Sequence, residues 1–265
     1  MSGPVLVIDF NNTVYRARAG YGQGEHSITF TFMLMLRKAV EMFAPSRVYI
    51  VKEGHPQRRH DVFSEYKLGR QGPGDDFWRQ HGSIVSILSK MPVHIVRHPL
   101  RECDDTIGHI VKVLHKDEPC VVYSTDTDFI QLLSYNDDRV RLWNPTRKVW
   151  IPATEYDYVR WKSLTGDGTD GIPGFKGVGG KTAEKLIINQ EKLDLFLSEG
   201  DRKSQFERNL ILIAFHEIND ELERVDYNPN WETAKSMLSE LGFMSITNNK
   251  SWNKFTNTFS CLSLV

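Results

Sequence analysis

The chain has 265 residues, of which 40% are hydrophobic and 25% charged, a composition that is typical of a folded domain and excludes wholesale disorder. Its 33 basic and 34 acidic residues give a net charge of −1, so a uniformly basic coat is excluded and any polyanionic partner must meet a local patch. The three cysteines are unclustered, which excludes a disulfide scaffold and a cysteine-type zinc site and favours a cytoplasmic, reducing compartment.

Short apolar runs alternate with helical patterns along the first half of the chain. The runs Val5–Asp9, Arg47–Val51, 93–96 and 120–125 indicate buried strands, and residues 28–43, 77–91 and 103–114 have the apolar spacing of helices. This alternation predicts an α/β fold with a mostly parallel central sheet covered by helices, in which sites form at the carboxyl ends of the strands. No apolar run is long enough for a membrane helix, and we expect no signal peptide and no membrane association.

Two segments depart from this rhythm. Residues 52–74 are polar and basic, and predict an excursion from the end of the sheet. Residues 166–180 are dense in glycine and lie between predicted helices at 155–164 and 181–188. After residue 191 the pattern indicates helices joined by loops. The pattern of residues 248–260 does not indicate a particular structure.

Acidic side chains follow the ends of all four predicted strands, and two more stand in the glycine-rich segment. Because the carboxyl ends of parallel strands share one edge, we expect these acids to converge on one cleft. Clustered carboxylates need cations, and oxygen ligands select Mg²⁺ or Mn²⁺. Their number favours two metal ions and phosphoryl-transfer chemistry. The acids are Asp9, Glu53, Glu102, Asp104, Asp105, Asp126, Asp128, Asp167 and Asp170.

Each acid also has an ordinary explanation when it is taken alone. An Asp after a strand is commonly a helix cap, and Asp126-Thr-Asp128 alone would indicate a solvated turn. Asp9 is harder to explain in this way, because a charge that closes an apolar strand is unfavourable to bury unpaired. The recurrence at four successive strand ends favours the metal site over separate caps and turns.

The glycine-rich and basic segments each have two interpretations. The sequence GFKGVGGKTAEKLI from Gly174 predicts a turn that leads into a helix N-terminus and could bind phosphate, although an inter-helix turn with a glycine cap explains it equally well. Gly180 interrupts the P-loop pattern, so nucleoside triphosphate binding is excluded. The basic segment, with Phe63, Tyr66 and Trp78 between its cations, suits phosphate contacts and base stacking, or else a solvated face.

These residues resemble the 5′-nucleases, namely the flap endonucleases and 5′→3′ exonucleases of bacteriophages and the 5′-nuclease domain of bacterial DNA polymerase I. The resemblance runs from Val5 to about Ala214. Five segments carry the resemblance. The first three are Val7-Ile-Asp9 with Tyr15-Arg16, Arg59 with Glu65-Tyr66-Lys67 and Arg70, and Glu102-Cys-Asp104-Asp105, which corresponds to E-A-D-D in the family. The last two are Ser124-Thr-Asp126-Thr-Asp128 and Gly166-Asp167-Gly-Thr-Asp170-Gly-Ile-Pro-Gly174, of which the second corresponds to G-D-x-x-D-N-I-P-G.

The resemblance implies a nuclease core at residues 1–152 with a helical arch at about 52–82, and a helical region at 153–265 with a helix–three-turn–helix at about 166–188. It implies that one metal is held by Asp9, Glu53, Glu102 and Asp104, and a second by Asp126, Asp128 and Asp170 with Asp167 nearby. Asp105 would act behind these ligands, and Lys67 and Arg70 would act on the scissile phosphate together with Asp9 and Asp126. The implied DNA-binding residues are Arg58, Arg59, Lys67, Arg70, Lys176, Gly177, Gly179, Lys181 and Thr182.

The resemblance further implies two-metal hydrolysis of DNA at 5′ flaps, nicks and 5′ ends, and of RNA primers on DNA, in replication or repair. The implied cofactors are two Mg²⁺ ions, replaceable by Mn²⁺, and a K⁺ ion at the helix–three-turn–helix. We expect a cytoplasmic monomer (in the host cytoplasm for a phage protein) that works beside replication proteins. The alternatives are a PIN-type ribonuclease, a non-catalytic binder of branched DNA and a phosphatase.

Three residues depart from the family pattern. Glu53 stands where Asp is usual, and its longer arm is expected to shift the first metal. Phe10 stands where glycine is common and is expected to crowd the approach to Asp9. Gly171 replaces an Asn.

Overall fold

The computed structural model describes residues 3–20, 24–225 and 228–263. The strands are β1 (Val5–Asp9), β2 (Arg47–Val51), β3 (His94–Arg97), β4 (Cys120–Tyr123), β5 (Val140–Asn144), β6 (Val149–Ile151) and β7 (Glu223–Arg224). The helices are α1 (Phe10–Gly20), α2 (Ser27–Phe43), α3 (Gln57–Val62), α4 (Asp75–Leu88), α5 (Cys103–His109), α6 (Tyr158–Thr165), α7 (Gly180–Ile188), α8 (Gln190–Leu197), α9 (Arg202–Ile213), α10 (Trp231–Glu240), α11 (Met244–Thr247) and α12 (Asn249–Thr258). Helix α5 continues as a π-helical turn over Ile110–Leu114.

The strands form a seven-stranded sheet in the order β6-β5-β4-β1-β2-β3-β7. The five central strands are parallel, and β6 and β7 are antiparallel at the two edges. This confirms the predicted α/β fold with a mostly parallel sheet. None of the helices in the described part of the chain is both long and apolar enough to cross a bilayer.

Helices cover both faces of the sheet, because alternate residues of the buried strands point to opposite sides. Leu6 and Ile8 of β1 join a core with residues of α1, α2, α4, α10 and α12. Val5 and Val7 join a second core with residues of α5 and its π-helical turn. The fully buried central strands hold their carboxyl ends in a fixed position, which is where the acids lie.

Some elements were not predicted. The hairpin of β5 and β6 lacks a continuous apolar run, because Arg141 and Trp150 lie at this edge of the sheet. The Arg141 guanidinium lies 3.7 Å from the centre of the Trp150 ring. Strand β7 has two exposed residues that pair with β3. Residues 248–260 mostly form α12, in which Trp252 stacks on Phe255 with ring centroids 5.5 Å apart.

Candidate metal centre and active site

An open cleft of about 670 Å³ lies at the carboxyl edge of the central strands. It is lined by all eight acids that were predicted to hold metal, so the sequence prediction that they share one cleft agrees with the geometry. They are Asp9, Glu53, Glu102, Asp104, Asp126, Asp128, Asp167 and Asp170. Lys67 and Arg70 line the same cleft.

The register of β1 and β4 holds Asp9 at the floor of the cleft. Helix α1 begins directly after Asp9, and the Asn12 N–H donates to Asp9 Oδ1 at 3.1 Å. The Ser124 hydroxyl, just past the end of β4, donates to Asp9 Oδ2 at 2.9 Å. Asp126 then accepts the Asp128 N–H at 2.9 Å, which starts a short 3₁₀ turn, and both acids line the cleft with Asp9.

Two carboxylates at the start of α5 have different surroundings. Glu102 faces the cleft, whereas Asp105 is fully buried and accepts the Glu102 N–H at 3.3 Å. The Arg59 guanidinium lies 2.6 Å from Asp105 and 2.8 Å from Glu102, and also donates to the Leu212 and Ala214 carbonyls. The prediction that Arg59 binds DNA is wrong, because this side chain is 3% exposed and fully engaged in the interior. It lies with Asp105 behind the cleft.

The basic segment folds onto the acids. The Lys67 ammonium donates to Glu102 and lies 3.6 Å from Asp170, and the Arg70 guanidinium donates to Asp170. Lys67 has a left-handed backbone (φ 57°), which the hydrogen bond from its N–H to the Asp170 carbonyl (3.0 Å) supports. Base stacking was one of two interpretations for Tyr66, but this residue is 2% exposed. Its hydroxyl lies 2.9 Å from Glu102 and 3.0 Å from Asp170.

Lys162 was not predicted from the sequence as a residue of the cleft. This lysine of α6 is 8% exposed, donates to Asp128 and lies 2.6 Å from Asp167. Burial alone would lower its pKa, but the two carboxylates outweigh burial and raise the pKa. The available signal was its position one helical turn after Tyr158, on the buried face of α6, where an unpaired lysine is unfavourable.

Several carboxyl groups in the cleft have raised pKa values. Burial raises the pKa of Asp9 to about 6, and burial followed by the charge of Asp126 raises that of Asp128 to about 6. Desolvation within the cleft raises the pKa of Glu53 to about 7 although the residue is exposed overall, and burial raises that of Asp104. These groups resist ionisation without additional cations, and their hard oxygen atoms fit divalent ions such as Mg²⁺ or Mn²⁺.

The glycine-rich segment forms a compact turn between α6 and α7. Side chains at Gly166 or Gly174 would overlap the backbone of the other strand of this turn, and Gly177 has φ 80°, a conformation that glycine adopts readily. All the residues of this segment that were predicted to bind DNA are exposed, namely Lys176, Gly177, Gly179, Lys181 and Thr182. Arg58 in α3 is also exposed, and Trp78 in α4 is 50% exposed.

The departures from the family pattern are accommodated locally. Phe10 does not crowd Asp9 as expected, because its ring is buried against Phe32 (centroids 5.4 Å apart) on the core side. Gly171 has φ 72°, which glycine tolerates. The longer arm of Glu53 brings its carboxylate to the start of α5, where it accepts the Cys103 N–H at 3.3 Å.

Similar proteins of known sequence point to one family. A family model described as 5'-3' exonuclease, N-terminal resolvase-like domain, matches residues 4–162. The thermostable DNA polymerase I of Thermus aquaticus is 29% identical over 88% of this chain, but the chain spans only 28% of that protein. The 5'-3' exonuclease of Mycoplasmopsis pulmonis is 25% identical over 71% of this chain and 67% of its own length.

Solved structures have the same fold. The T5 D15 protein co-crystallized with metal ions has a TM-score of 0.65 at 16% identity, covering 96% of this chain and 97% of that one. Flap endonuclease-1 from Methanococcus jannaschii has a TM-score of 0.65 at 17% identity, covering 98% and 93%. These identities support the fold alone. Because the family model matches more than half of its residues, the chain belongs to the 5'-3' exonuclease family with the N-terminal resolvase-like domain.

Proposed function

We propose that the protein is a metal-dependent 5′-nuclease that hydrolyses phosphodiesters at the 5′ flaps and 5′ ends of branched or nicked DNA. The observation that carries the proposal is the convergence of eight carboxylates on one open cleft, beside Lys67 and Arg70. Family membership supports it. Among proteins of this fold, a T5 flap endonuclease was crystallised in a pseudo-enzyme-product complex with DNA and metal ions, and the Rad2 catalytic core with a DNA substrate.

The acids would hold two Mg²⁺ ions, with Mn²⁺ able to replace them. We assign Asp9, Glu53, Glu102 and Asp104 to the first ion, and Asp126, Asp128 and Asp170, with Asp167 nearby, to the second. Divalent ions bound in such pairs activate water as a nucleophile and neutralise charge on the leaving oxygen. A K⁺ ion at residues 166–188 is part of the same proposal and rests on the family resemblance.

Basic side chains that line the cleft would bind and orient the phosphate. Lys67 and Arg70 already reach Glu102 and Asp170 on the cleft wall, so their donors can also meet a phosphate that enters there. They would neutralise the charge that develops on its oxygens. Arg59 and Asp105 would act indirectly, by fixing Glu102 and the start of α5. Cleavage would leave a 5′-phosphate and a 3′-hydroxyl.

The exposed turn before α7 would bind the duplex. Backbone N–H groups at the N-terminus of α7 attract phosphate, and Lys176 and Lys181 add positive charge at the same surface. Residues 52–82, with the exposed Arg58, would form the arch that guides the 5′ strand to the cleft. We further propose a cytoplasmic monomer that acts in replication or repair, also on RNA primers, beside replication proteins.

Cleavage of a 5′-labelled flap substrate in Mg²⁺ or in EDTA tests the proposal. We expect cleavage in Mg²⁺ alone and its loss in Asp126→Asn and Asp170→Asn, with Glu232→Gln in α10 as the matched exposed control. Product length separates flap removal from nibbling at the end. Binding without cleavage would instead identify a DNA binder, hydrolysis of small phosphate esters a phosphatase, and cleavage of RNA alone a ribonuclease.

A further inference from the structure

Cys103 places a thiol beside the carboxylates of the first metal position. It is the first residue of α5 and is 2% exposed. Its Sγ lies 3.7 Å from Asp9 Oδ1 and 3.3 Å from the Val51 carbonyl oxygen. The Sγ atom and one carboxylate oxygen each from Asp9 and Asp104 all lie within 4.8 Å of one another.

A fourth possible ligand lies next to this group. Glu53 Oε1 accepts the backbone N–H of Cys103 at 3.3 Å, so its carboxylate lies at the same corner of the cleft. Both residues depart from the family motifs, in which an Asp and an Ala stand at these positions. One sulfur and two carboxylates lie within this mutual reach, with the Glu53 carboxylate beside them. Such a mixed donor set suits a four-coordinate, thiophilic cation better than an octahedral Mg²⁺.

We propose that Cys103 is a ligand of the first metal position, which therefore binds thiophilic divalent cations such as Co²⁺, Zn²⁺ and Cd²⁺ through sulfur as well as oxygen. The inference rests on the proposed function, because it places the cation in the same acid-lined cleft. On binding, the Sγ–H bond breaks, the proton passes to the buffer and a sulfur–metal bond forms without any change of oxidation state. Mg²⁺ would bind the carboxylates and leave the thiol protonated.

Titration of the 265-residue chain, stripped of metal, with Co²⁺ tests this ligand. All proteins would carry Cys261→Ser, which removes the exposed thiol. We expect a thiolate-to-cobalt charge-transfer band in the near ultraviolet that saturates at stoichiometric Co²⁺ and is lost in Cys103→Ser. Since even residues outside a ligand set change metal affinity about 10–100-fold, Co²⁺ affinity should fall at least about tenfold in this variant.

Cys120→Ser is the matched control, because Cys120 is also buried but starts β4 at the opposite edge of the sheet. This variant should keep the band. Absence of the band from the Cys261→Ser reference protein, or a band that survives when Cys103→Ser is added, would overturn the proposal.

A measurement on the protein with Cys103 intact keeps the test independent of how Cys103→Ser folds. X-ray absorption of the zinc-loaded protein should detect one sulfur atom bonded to zinc, and oxygen or nitrogen neighbours alone would contradict the assignment. Failure of the proposed function would appear separately, as absent Mg²⁺-dependent flap cleavage by the wild-type protein.

Discussion

Replacing Lys162 by Met should make the stability of the protein depend on divalent cations. Lys162 is the internal cation between Asp128 and Asp167, whose side chains are 15% and 16% exposed. Met keeps most of the side-chain volume and removes the charge. The two carboxylates are then left facing each other and Asp126, without the ammonium that balances them in the metal-free protein.

The size of the effect follows from the burial of this group. Breaking a buried ion pair by removing one partner destabilises a protein by about 3–5 kcal/mol, and the partial exposure here favours the lower end of that range. A cation that binds the folded state at 100 times its dissociation constant restores about 2.7 kcal/mol. Since the pKa of Asp128 is already about 6, the deficit should grow between about pH 6 and pH 8, as this carboxyl ionises.

Urea unfolding in EDTA and in Mg²⁺ measures both effects. We expect Lys162→Met to lose about 3 kcal/mol in EDTA and to regain more of it in Mg²⁺ than the wild type gains. Lys162→Arg, which keeps the charge, is the control, and the added substitution Asp128→Asn should restore stability without metal. Equal losses in EDTA and Mg²⁺ would refute the role of Lys162 as a counter-ion in the metal site.

Three further predictions concern the same region. The pKa values of Asp9 and Asp128 are raised to about 6 in the folded state, so their contribution to stability is complete below about pH 4 and is lost as pH rises to about 7. The Tm in EDTA should therefore fall across this window, and a flat profile would contradict this prediction. Arg59→Met should lower the free energy of unfolding by about 3–5 kcal/mol in a urea titration, and a loss below about 1 kcal/mol would show that its ion pairs contribute little. Gly174→Ala should destabilise the turn by about 1–3 kcal/mol through overlap with backbone and weaken duplex binding, measured by fluorescence anisotropy, whereas Gly168→Ala, which has open space, should do neither.

The sequence was sufficient to predict that the acids share one cleft, because their positions follow from a local rule. Each of Asp9, Glu102 and Asp126 comes within a few residues of a strand or helix boundary, and parallel strands bring such boundaries to one edge. The motif spacing around Asp170 then added the acids of the turn. These features depend on short stretches of chain that a single sequence displays directly.

The cations were harder to predict because their environment is set by tertiary packing. Arg59 and Lys67 lie in the same basic segment, yet the first is buried against Asp105 and the second lines the cleft. Nothing in the local sequence separates them, since the difference arises from the position of α9 and of the start of α5. Lys162 was missed for the same reason, because its partners lie in other elements of the chain.

If the cleft binds metal and DNA as we propose, the distribution of these charges favours one order of binding. Lys67 and Arg70 form ion pairs with Glu102 and Asp170, two of the acids that we propose as metal ligands. A divalent cation held by these acids would compete with Lys67 and Arg70 for the same carboxylate oxygens, and would weaken the ion pairs of both side chains. A phosphate that arrives after the metal meets free cationic donors, whereas one that arrives before it meets donors already paired. The proposed function therefore predicts that metal loading before DNA binding gives the stronger attraction for the scissile phosphate.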